Sequence, residues 1–264
     1  MNVYRFEFKH QALSIIWQTA LLAGLLAILM VAVFPVYADA ETQVRTVLEG
    51  FPPEFAAMFG IAIDSIFSYG GFYTFGFLYL SLVGAIMASS LGLAVFSREK
   101  RSQCLDFLLA KPISRTRIFA TKLLVCLTGL AVVNVVFVVT AWVVHAVSSD
   151  TALSTTQVVL MALALAGTQL VFLALSIAVA TFLRRIRSVS GVATAIGFAG
   201  FLLTMLPELV DEKLRFISPL QYFSPSDVIS TGSFDGTYGA LACGVIAVAL
   251  IASFVRYRFA DVSA

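Results

Sequence analysis

Charged residues are scarce in this 264-residue chain, and their scarcity limits how the chain can be solvated. Only 12% of the residues are charged, whereas 60% are hydrophobic. A soluble domain carries about a quarter charged residues. Too few polar side chains remain to cover a folded core in water. The composition therefore excludes an ordinary soluble domain and indicates a protein that is surrounded by a lipid bilayer.

Sequence motifs for catalysis and nucleotide binding are also missing. The chain contains no G-x-x-x-x-G-K-[ST] phosphate loop, no H-E-x-x-H and no G-x-S-x-G. Its two histidines and three widely separated cysteines show no metal-ligand spacing. A net charge of +2 does not indicate a basic surface for binding nucleic acid. We therefore predict no catalytic, cofactor-binding or metal site on this chain, and if ATP drives the protein, another chain must bind it.

Six long apolar runs dominate what the sequence does contain. A membrane-crossing helix needs about 20 apolar residues to span about 30 Å of hydrocarbon. The runs lack the alternation of barrel strands, and backbone groups in lipid must pair within each segment. The predicted fold class is therefore all-α, a polytopic bundle of six transmembrane helices forming one domain over residues 1–264. The runs cover approximately 12–34, 71–96, 118–147, 157–183, 189–206 and 237–255.

Lysine and arginine are distributed unevenly around these six spans. If the N-terminus lies in the cytoplasm, fourteen of the seventeen lie on the inner side, and only Arg45, Lys213 and Arg215 lie outside. Basic residues near span ends favour the cytoplasmic side. We therefore predict a multi-pass protein of the cell membrane, with both termini and the 97–117 segment in the cytoplasm.

The centres of the six spans carry no aspartate, glutamate, lysine or arginine. A buried charge persists in a membrane mainly where it has a function, such as ion coupling. The absence argues against an ion-coupled carrier, although broken-helix sites can use backbone carbonyls instead. Milder polar residues, Asn134, Thr168 and Gln169, are candidates for a substrate path. Hydrogen bonding between helices is the alternative interpretation of these three residues.

The charged segment 97–117 lies between the second and third spans. Its pattern is not explained by the need to keep this loop on the cytoplasmic side alone. Leu105, Leu108 and Leu109 share one face of a short helix. Pro112 ends that helix, and Ser114 can cap the next one. The pattern predicts an amphipathic hairpin. The residues alone leave two targets open, lipid headgroups and a groove on a soluble partner.

These residues give the chain a resemblance to the membrane subunits of type-2 ABC transporters, the exporter-type permeases similar to bacitracin-resistance and sodium-efflux permeases. The shared pattern is an acidic residue, a Leu-rich helix, Pro-x-Ser-Arg and a lysine that opens the third span. Many members place Gly-Thr where this chain has Gln103 and Cys104. The matching residues are Glu99, Leu105, Leu108, Leu109, Pro112, Ser114, Arg115 and Lys122.

The resemblance implies a role for each part of the chain. The hairpin becomes a coupling helix that docks on a separate ATPase, which holds ATP and Mg, through Glu99, Leu105, Leu108, Leu109, Pro112, Ser114 and Arg115. Residues 1–11 become an elbow helix, for which an ordinary basic tail is the alternative, and 207–236 become an outer, re-entrant segment, for which a surface loop is the alternative.

The resemblance also implies a function for the whole chain. It implies a non-enzymatic permease subunit that exports an amphiphilic substrate (a peptide antibiotic, drug, lipid or ion) beside a second permease copy or a homologous permease. Small residues in the fifth span, such as Gly191 and Gly197, either form that contact or pack internally. The alternative function is a non-transporting membrane scaffold or sensor whose basic hairpin binds lipid or a signalling partner.

Overall fold

Six long helices form the protein, as the sequence predicts. The structure, a computed structural model, describes residues 3–52, 56, 59–98, 114–148, 153–183, 185–209 and 212–259. Within this part of the chain, six helices are long and apolar enough to cross a membrane. The long helices are α1 (Val3–Ala27, continuing to Asp39), α4 (Tyr69–Phe96), α5 (Arg115–Ser148), α6 (Thr155–Phe182), α7 (Val189–Leu209) and α9 (Gly236–Phe259).

Shorter helices lie at one end of the bundle, which we call the far end. The opposite end, where α4 ends and α5 begins, is called the hairpin end. Two short helices, α2 (Phe34–Asp39) and α3 (Glu41–Leu48), follow α1 at the far end. Two 3-10 turns (Glu212–Ile217 and Pro219–Gln221) and α8 (Pro225–Thr231) fill the interval between α7 and α9.

The first span contains a wide turn. Residues Ile28–Val33 form a π-helix, in which the N–H of Phe34 bonds to the carbonyl of Leu29, five residues back. Pro35 follows immediately and has no N–H to continue a regular α-helical ladder. π-turns are commonly single interruptions of an α-helix. No such interruption separates the predicted elbow, residues 1–11, from the first span, because Val3–Ala27 is one continuous helix. The boundary of the elbow at residue 11 stays a prediction.

Helices α4 and α6 form the centre of the bundle and make the most extensive contact with each other. Helix α1 packs along α5, α7 packs on α4, and α9 packs on α6. In the most apolar stretch of each helix, more than half of the residues are buried in α4 and in α6, against 17% in α1 and in α9. The outer helices therefore present apolar side chains outward, as lipid-facing helices do.

Two glycines let the central helices approach closely. A Cβ atom on Gly84 would lie 2.7 Å from Leu165 Cδ1 of α6. A Cβ on Gly92 would overlap the Ser176 hydroxyl and crowd Leu173. Because lipid tails are as apolar as leucine, membrane helices associate through such close packing rather than through the hydrophobic effect. In the fifth span, Gly197 packs against Ile86 of α4, which is an internal contact.

The chain segment that follows α7 lies at the far end of the bundle. Helix α7 continues through Pro207 to Leu209. Helix α8 ends at Gly232, whose φ of 76° is left-handed and whose N–H bonds to the Val228 carbonyl. Glycine adopts this conformation without the strain of a side chain, and it commonly ends helices in this way. The chain then turns directly into α9, and the re-entrant character of 207–236 stays a prediction.

Candidate functional site

The hairpin that carries most predicted coupling residues is described only at its base. The described residues end at 98 and resume at 114. Ser114 and Arg115 are therefore the two predicted coupling residues that the structure places. The predictions that lie outside the described residues concern Glu99, Leu105, Leu108, Leu109 and Pro112.

The chain entering the hairpin is tied to the N-terminal helix by an ion pair. Arg98 Nη1 donates a hydrogen bond to Glu7 Oε2 at 3.1 Å. The Glu7 side chain is only 5% exposed, and the Arg98 guanidinium also lies 4.8 Å from the centre of the Phe6 ring. Breaking such a buried pair leaves an uncompensated charge, which is strongly destabilising. The contact fixes the start of α1 against the point where the hairpin begins.

A buried lysine fixes the end of α4 to α5. Lys122 is fully buried, its Nζ donates to the Val95 carbonyl at 2.7 Å, and it lies 5.7 Å from the centre of the Phe96 ring. The last carbonyls of a helix have no partner within the helix, and its C-terminus carries partial negative charge. Ser97 Oγ also donates to the Leu93 carbonyl, at 2.6 Å, beside the backbone N–H of the same residue. A cation is therefore stabilised at this position.

The chain leaving the hairpin begins α5 as the sequence predicts. Ser114 Oγ accepts a hydrogen bond from the backbone N–H of Arg117 at 3.4 Å, which confirms the predicted cap. Arg115 Nη1 donates to the Arg258 carbonyl at 3.3 Å. Arg258 lies in the last turn of α9, so Arg115 joins the start of α5 to the end of the sixth span.

An aromatic cluster around Phe119 packs the same helix ends together. Phe119 meets Phe96 of α4 edge-on at a centroid distance of 5.1 Å. It also meets Phe254 and Tyr257 of α9 at 5.4 and 5.6 Å. Edge-to-face pairs add free energy beyond the area that they bury. The hairpin base is therefore attached to α1, α4, α5 and α9 through separate contacts.

The residues predicted to line a substrate path lie near the middle of α5 and α6. Asn134 Nδ2 donates to Gln169 Oε1 at 2.7 Å and to the Leu130 carbonyl at 2.9 Å. The Thr168 hydroxyl donates to the Ala164 carbonyl of its own helix at 3.1 Å. Asn134, Thr168 and Gln169 are all buried. In this conformation Asn134 and Gln169 form an interhelical hydrogen bond, and their part in a substrate path stays a prediction.

A second ion pair lies at the far end. Arg215 Nη2 approaches Asp227 Oδ2 at 2.5 Å and donates to the Gln221 carbonyl at 3.1 Å. The guanidinium lies 4.5 Å from the centre of the Tyr238 ring in α9. Tyr222 donates to the Phe216 carbonyl at 2.6 Å, and burial raises the pKa of its hydroxyl. These contacts hold the 3-10 turns, α8 and the start of α9 together.

Sequence reasoning missed the pairing of Glu7 with Arg98 and the burial of Lys122. Glu7 is the one acidic residue before residue 39. Its position in a basic segment is a signal that it has a specific basic partner. Lys122 belonged to the pattern of the resemblance but was not predicted as a site residue. Among the described residues, no cluster of three or more histidine, cysteine, aspartate or glutamate side chains could hold a metal ion.

Comparison with known proteins gives one family. Residues 9–258 match the family described as the multidrug efflux system permease Rv1217c, C-terminal domain. The match includes all six spans and the hairpin. A search of curated proteins gave no significant match.

Proposed function

Because the chain belongs to the family of the multidrug efflux system permease Rv1217c, C-terminal domain, we propose that it is the membrane-spanning subunit of an ATP-binding cassette exporter. The family indicates a multi-pass efflux permease rather than an enzyme. In this proposal, a separate ATPase holds ATP and Mg and docks on the 97–117 hairpin. The hairpin and both termini lie in the cytoplasm, on the inner side of the cell membrane.

The observation that carries the proposal is the attachment of the hairpin base to four helices. Arg98 joins it to α1 through Glu7, and Lys122 joins it to the end of α4. Arg115 joins it to the end of α9. A displacement of the hairpin by an ATPase would therefore move several spans together. This is the mechanical requirement for a permease that is driven from outside the membrane.

The proposed complex contains two permeases and two ATPase subunits. The second permease is another copy of this chain or a homologous chain. The matched family model corresponds to the C-terminal domain of its permease, which is consistent with a six-helix unit that works beside another. The proposed substrate is an amphiphilic molecule, and the candidates are a peptide antibiotic, a drug, a lipid or an ion.

Co-purification tests the partner. The chain is purified from membranes, and the preparation is examined for an ATPase that carries a phosphate loop. Replacing residues 99–113 with a Gly-Ser linker of equal length keeps the described contacts of Arg98, Ser114, Arg115 and Lys122. We expect the linker variant to insert normally and to lose the ATPase. Retention of the ATPase by the linker variant would contradict the proposed docking site.

Coupled ATP hydrolysis tests the hairpin residues. Pro112→Ala and Arg115→Glu should each lower transport-linked ATP hydrolysis while leaving membrane insertion intact. Arg256→Glu is a matched control, because Arg256 is an exposed basic residue in the last turn of α9. Wild-type coupling in both hairpin variants would refute the coupling role.

The same experiments separate the alternative function. A non-transporting scaffold or sensor would bind anionic lipid or a signalling partner through the hairpin. It would co-purify with no ATPase and would leave substrate accumulation in vesicles unchanged. Full transport by the isolated chain in liposomes would contradict both functions.

A further inference from the structure

A polar cavity lies at the far end of the bundle, away from the hairpin. Its volume is about 260 Å³, and its walls come from α4, α7, the 3-10 turns and the start of α8. Thr74, Phe77 and Ser81 of α4 form one wall, and Thr204 of α7 forms another. Gln221 and the Ser224–Ser226 segment also line it. This volume is below the roughly 300–1,000 Å³ of ordinary small-molecule pockets, so the cavity suits the head of an amphiphile rather than a whole drug-sized ligand.

Three hydroxyl groups on these walls, those of Thr74, Ser81 and Thr204, are hydrogen-bond acceptors for a ligand. The Thr74 hydroxyl donates to the Gly70 carbonyl and the Ser81 hydroxyl to the Leu78 carbonyl, at 3.0 and 2.8 Å. Thr204 Oγ1 donates to the Phe201 carbonyl at 2.7 Å. Each hydroxyl has one proton, so these three retain only lone pairs for a ligand. These three hydroxyls therefore favour a ligand that brings donors, while the Ser224–Ser226 hydroxyl pair and the Arg215 guanidinium supply donors from the wall.

Gln221 adds an acceptor of a different kind. Its Nε2 donates to the Thr204 carbonyl at 3.3 Å. Its Oε1 is buried and has no hydrogen-bond partner among the described residues. A buried acceptor without a partner carries a desolvation penalty that a new donor can recover. Gln221 is on the cavity wall, but because its Oε1 is buried, a donor reaches this oxygen only when the amide turns toward the cavity.

The charge of the cavity wall is balanced. Among the described residues on the wall, Arg215 is the charged one, and its guanidinium is paired with Asp227. A partly dry site with no net charge disfavours an ion, because the ion loses its hydration without gaining a counter-charge. Phe77, Leu78 and Leu220 supply apolar surface beside the polar groups. The cavity therefore fits an uncharged head with an apolar neighbour.

We propose that this cavity binds the uncharged, hydroxyl-bearing head of an amphiphile. The hydroxyls of the ligand donate to the lone pairs of Thr74, Ser81 and Thr204, and its apolar part lies against Phe77 and Leu220. Binding here does not require the transport function, so the site and the function can fail separately. A resident lipid with a polyol head and a passing exported molecule share this chemistry.

Protection of an engineered cysteine tests occupancy. Cys104 and Cys243 are replaced by alanine, the buried Cys126 is kept, and Ser226→Cys places a thiol on the cavity wall. The full chain is placed in phosphatidylcholine nanodiscs and labelled with a maleimide in the presence of hexyl β-glucoside. At about three times the Kd, labelling should slow about fourfold, because protection follows 1 + [L]/Kd.

Matched controls distinguish binding from partitioning into the bilayer. Ser230→Cys lies exposed on the same short helix but outside the cavity wall, so its labelling should not change. Hexyltrimethylammonium and hexyl sulfate carry the same chain with a charged head and should not protect Ser226→Cys. Equal protection at both cysteines, or by all three probes, would overturn the proposal. Absence of protection by the glucoside would mean that the cavity holds only water.

An isosteric substitution tests the acceptors. Thr204→Val keeps the shape of the side chain and removes one lone-pair acceptor, so the Kd for hexyl β-glucoside should rise about fivefold. Thr140→Val is the matched control, since Thr140 lies away from the cavity on α5 and also bonds to its own helix. An unchanged Kd in Thr204→Val would contradict the hydrogen-bonding chemistry.

The source of the ligand follows from the lipid environment. The protection experiment is repeated in nanodiscs that retain native lipid. Protection in both preparations assigns the site to a molecule that passes through. Protection in phosphatidylcholine alone assigns it to a resident lipid that native membranes already supply. Either result supports a site for a hydroxyl-bearing head.

Discussion

The two ends of the bundle each hold a shielded cation, but they hold it differently. Lys122 at the hairpin end is fully buried and donates to the last turn of α4. Arg215 at the far end keeps 21% of its side chain exposed and pairs with a carboxylate and an aromatic ring. A compact ammonium suits a single carbonyl, whereas the planar guanidinium suits a carboxylate. Lys122 therefore reaches a backbone carbonyl of α4, whereas Arg215 reaches a carboxylate and an aromatic ring in addition to the Gln221 carbonyl.

The largest expected effect is at Lys122. Lys122→Ala should lower the free energy of unfolding by about 3 kcal/mol, because it opens a cavity and leaves the Val95 carbonyl unpaired. Lys122→Met keeps most of the volume and should cost about 1–2 kcal/mol. Unfolding in mixed micelles measures both values. Arg117→Ala, at an exposed position, is the control, and equal stability of Lys122→Ala and this control would contradict the anchoring role.

The ion pair at the far end should show a smaller coupling. A double-mutant cycle with Arg215→Met and Asp227→Leu should give an interaction of about 1–2 kcal/mol, because the pair is only partly shielded. The same cycle with Arg45→Met and Glu41→Leu tests an exposed pair on α3, for which we expect no measurable coupling. Equal coupling energies in the two cycles would remove the difference between shielded and exposed pairs.

The hydrogen-bonded pair Asn134 and Gln169 in the centre of the bundle should show a smaller coupling energy than the ion pair at the far end. A cycle with Asn134→Leu and Gln169→Leu should give about 0.6 kcal/mol, a typical value for hydrogen bonds between membrane helices. Thr168→Val serves as the comparison, because the Thr168 hydroxyl donates to a carbonyl of its own helix. If substrate stimulation of ATP hydrolysis changes while stability does not, the substrate-path prediction is favoured instead.

The smallest expected effect depends on pH. Asp235 Oδ1 accepts the backbone N–H of Thr237 at 2.7 Å at the start of α9, and this bond holds the Asp235 pKa below its ordinary value of 3.8. A carboxylate with a lowered folded-state pKa stabilises the fold above the unfolded pKa and loses that contribution as pH falls through the folded pKa. Unfolding midpoints below pH 4 measure the loss. Asp235→Asn should flatten this dependence, and an unchanged slope would contradict it.

The sequence was sufficient for the long helices and insufficient for the short ones. Hydropathy predicted a second span over 71–96 and a third over 118–147, close to Tyr69–Phe96 and Arg115–Ser148. In lipid, the backbone N–H and C=O groups of a long apolar run must pair with each other, which leaves the helix as the only structure for it. Helices α2 and α3 were not predicted because they are only 6 and 8 residues long, too short for a period to stand out. The π-turn was not predicted because it lies in a continuous apolar run, in which hydropathy does not distinguish a π-turn from an α-helix.

The site was predictable where the chemistry is local. Ser114 caps α5 because a cap depends on residues three positions apart. Glu7 and Arg98 are separated by 91 positions, so no spacing in the chain could reveal their contact. Lys122 was visible as a charge near a span end, but its burial depends on where α4 ends in space.

The π-turn in the first span has a consequence for how motion passes along that span. Residues Ile28–Val33 contain a looser ladder than the helix on either side, and the Glu7 contact lies on one side of it. On the other side, Pro35 leads into α2 and α3. The first span is therefore continuous in direction but not in hydrogen-bond pattern, so a displacement applied at Glu7 would have to cross the π-turn before it reached α2 and α3.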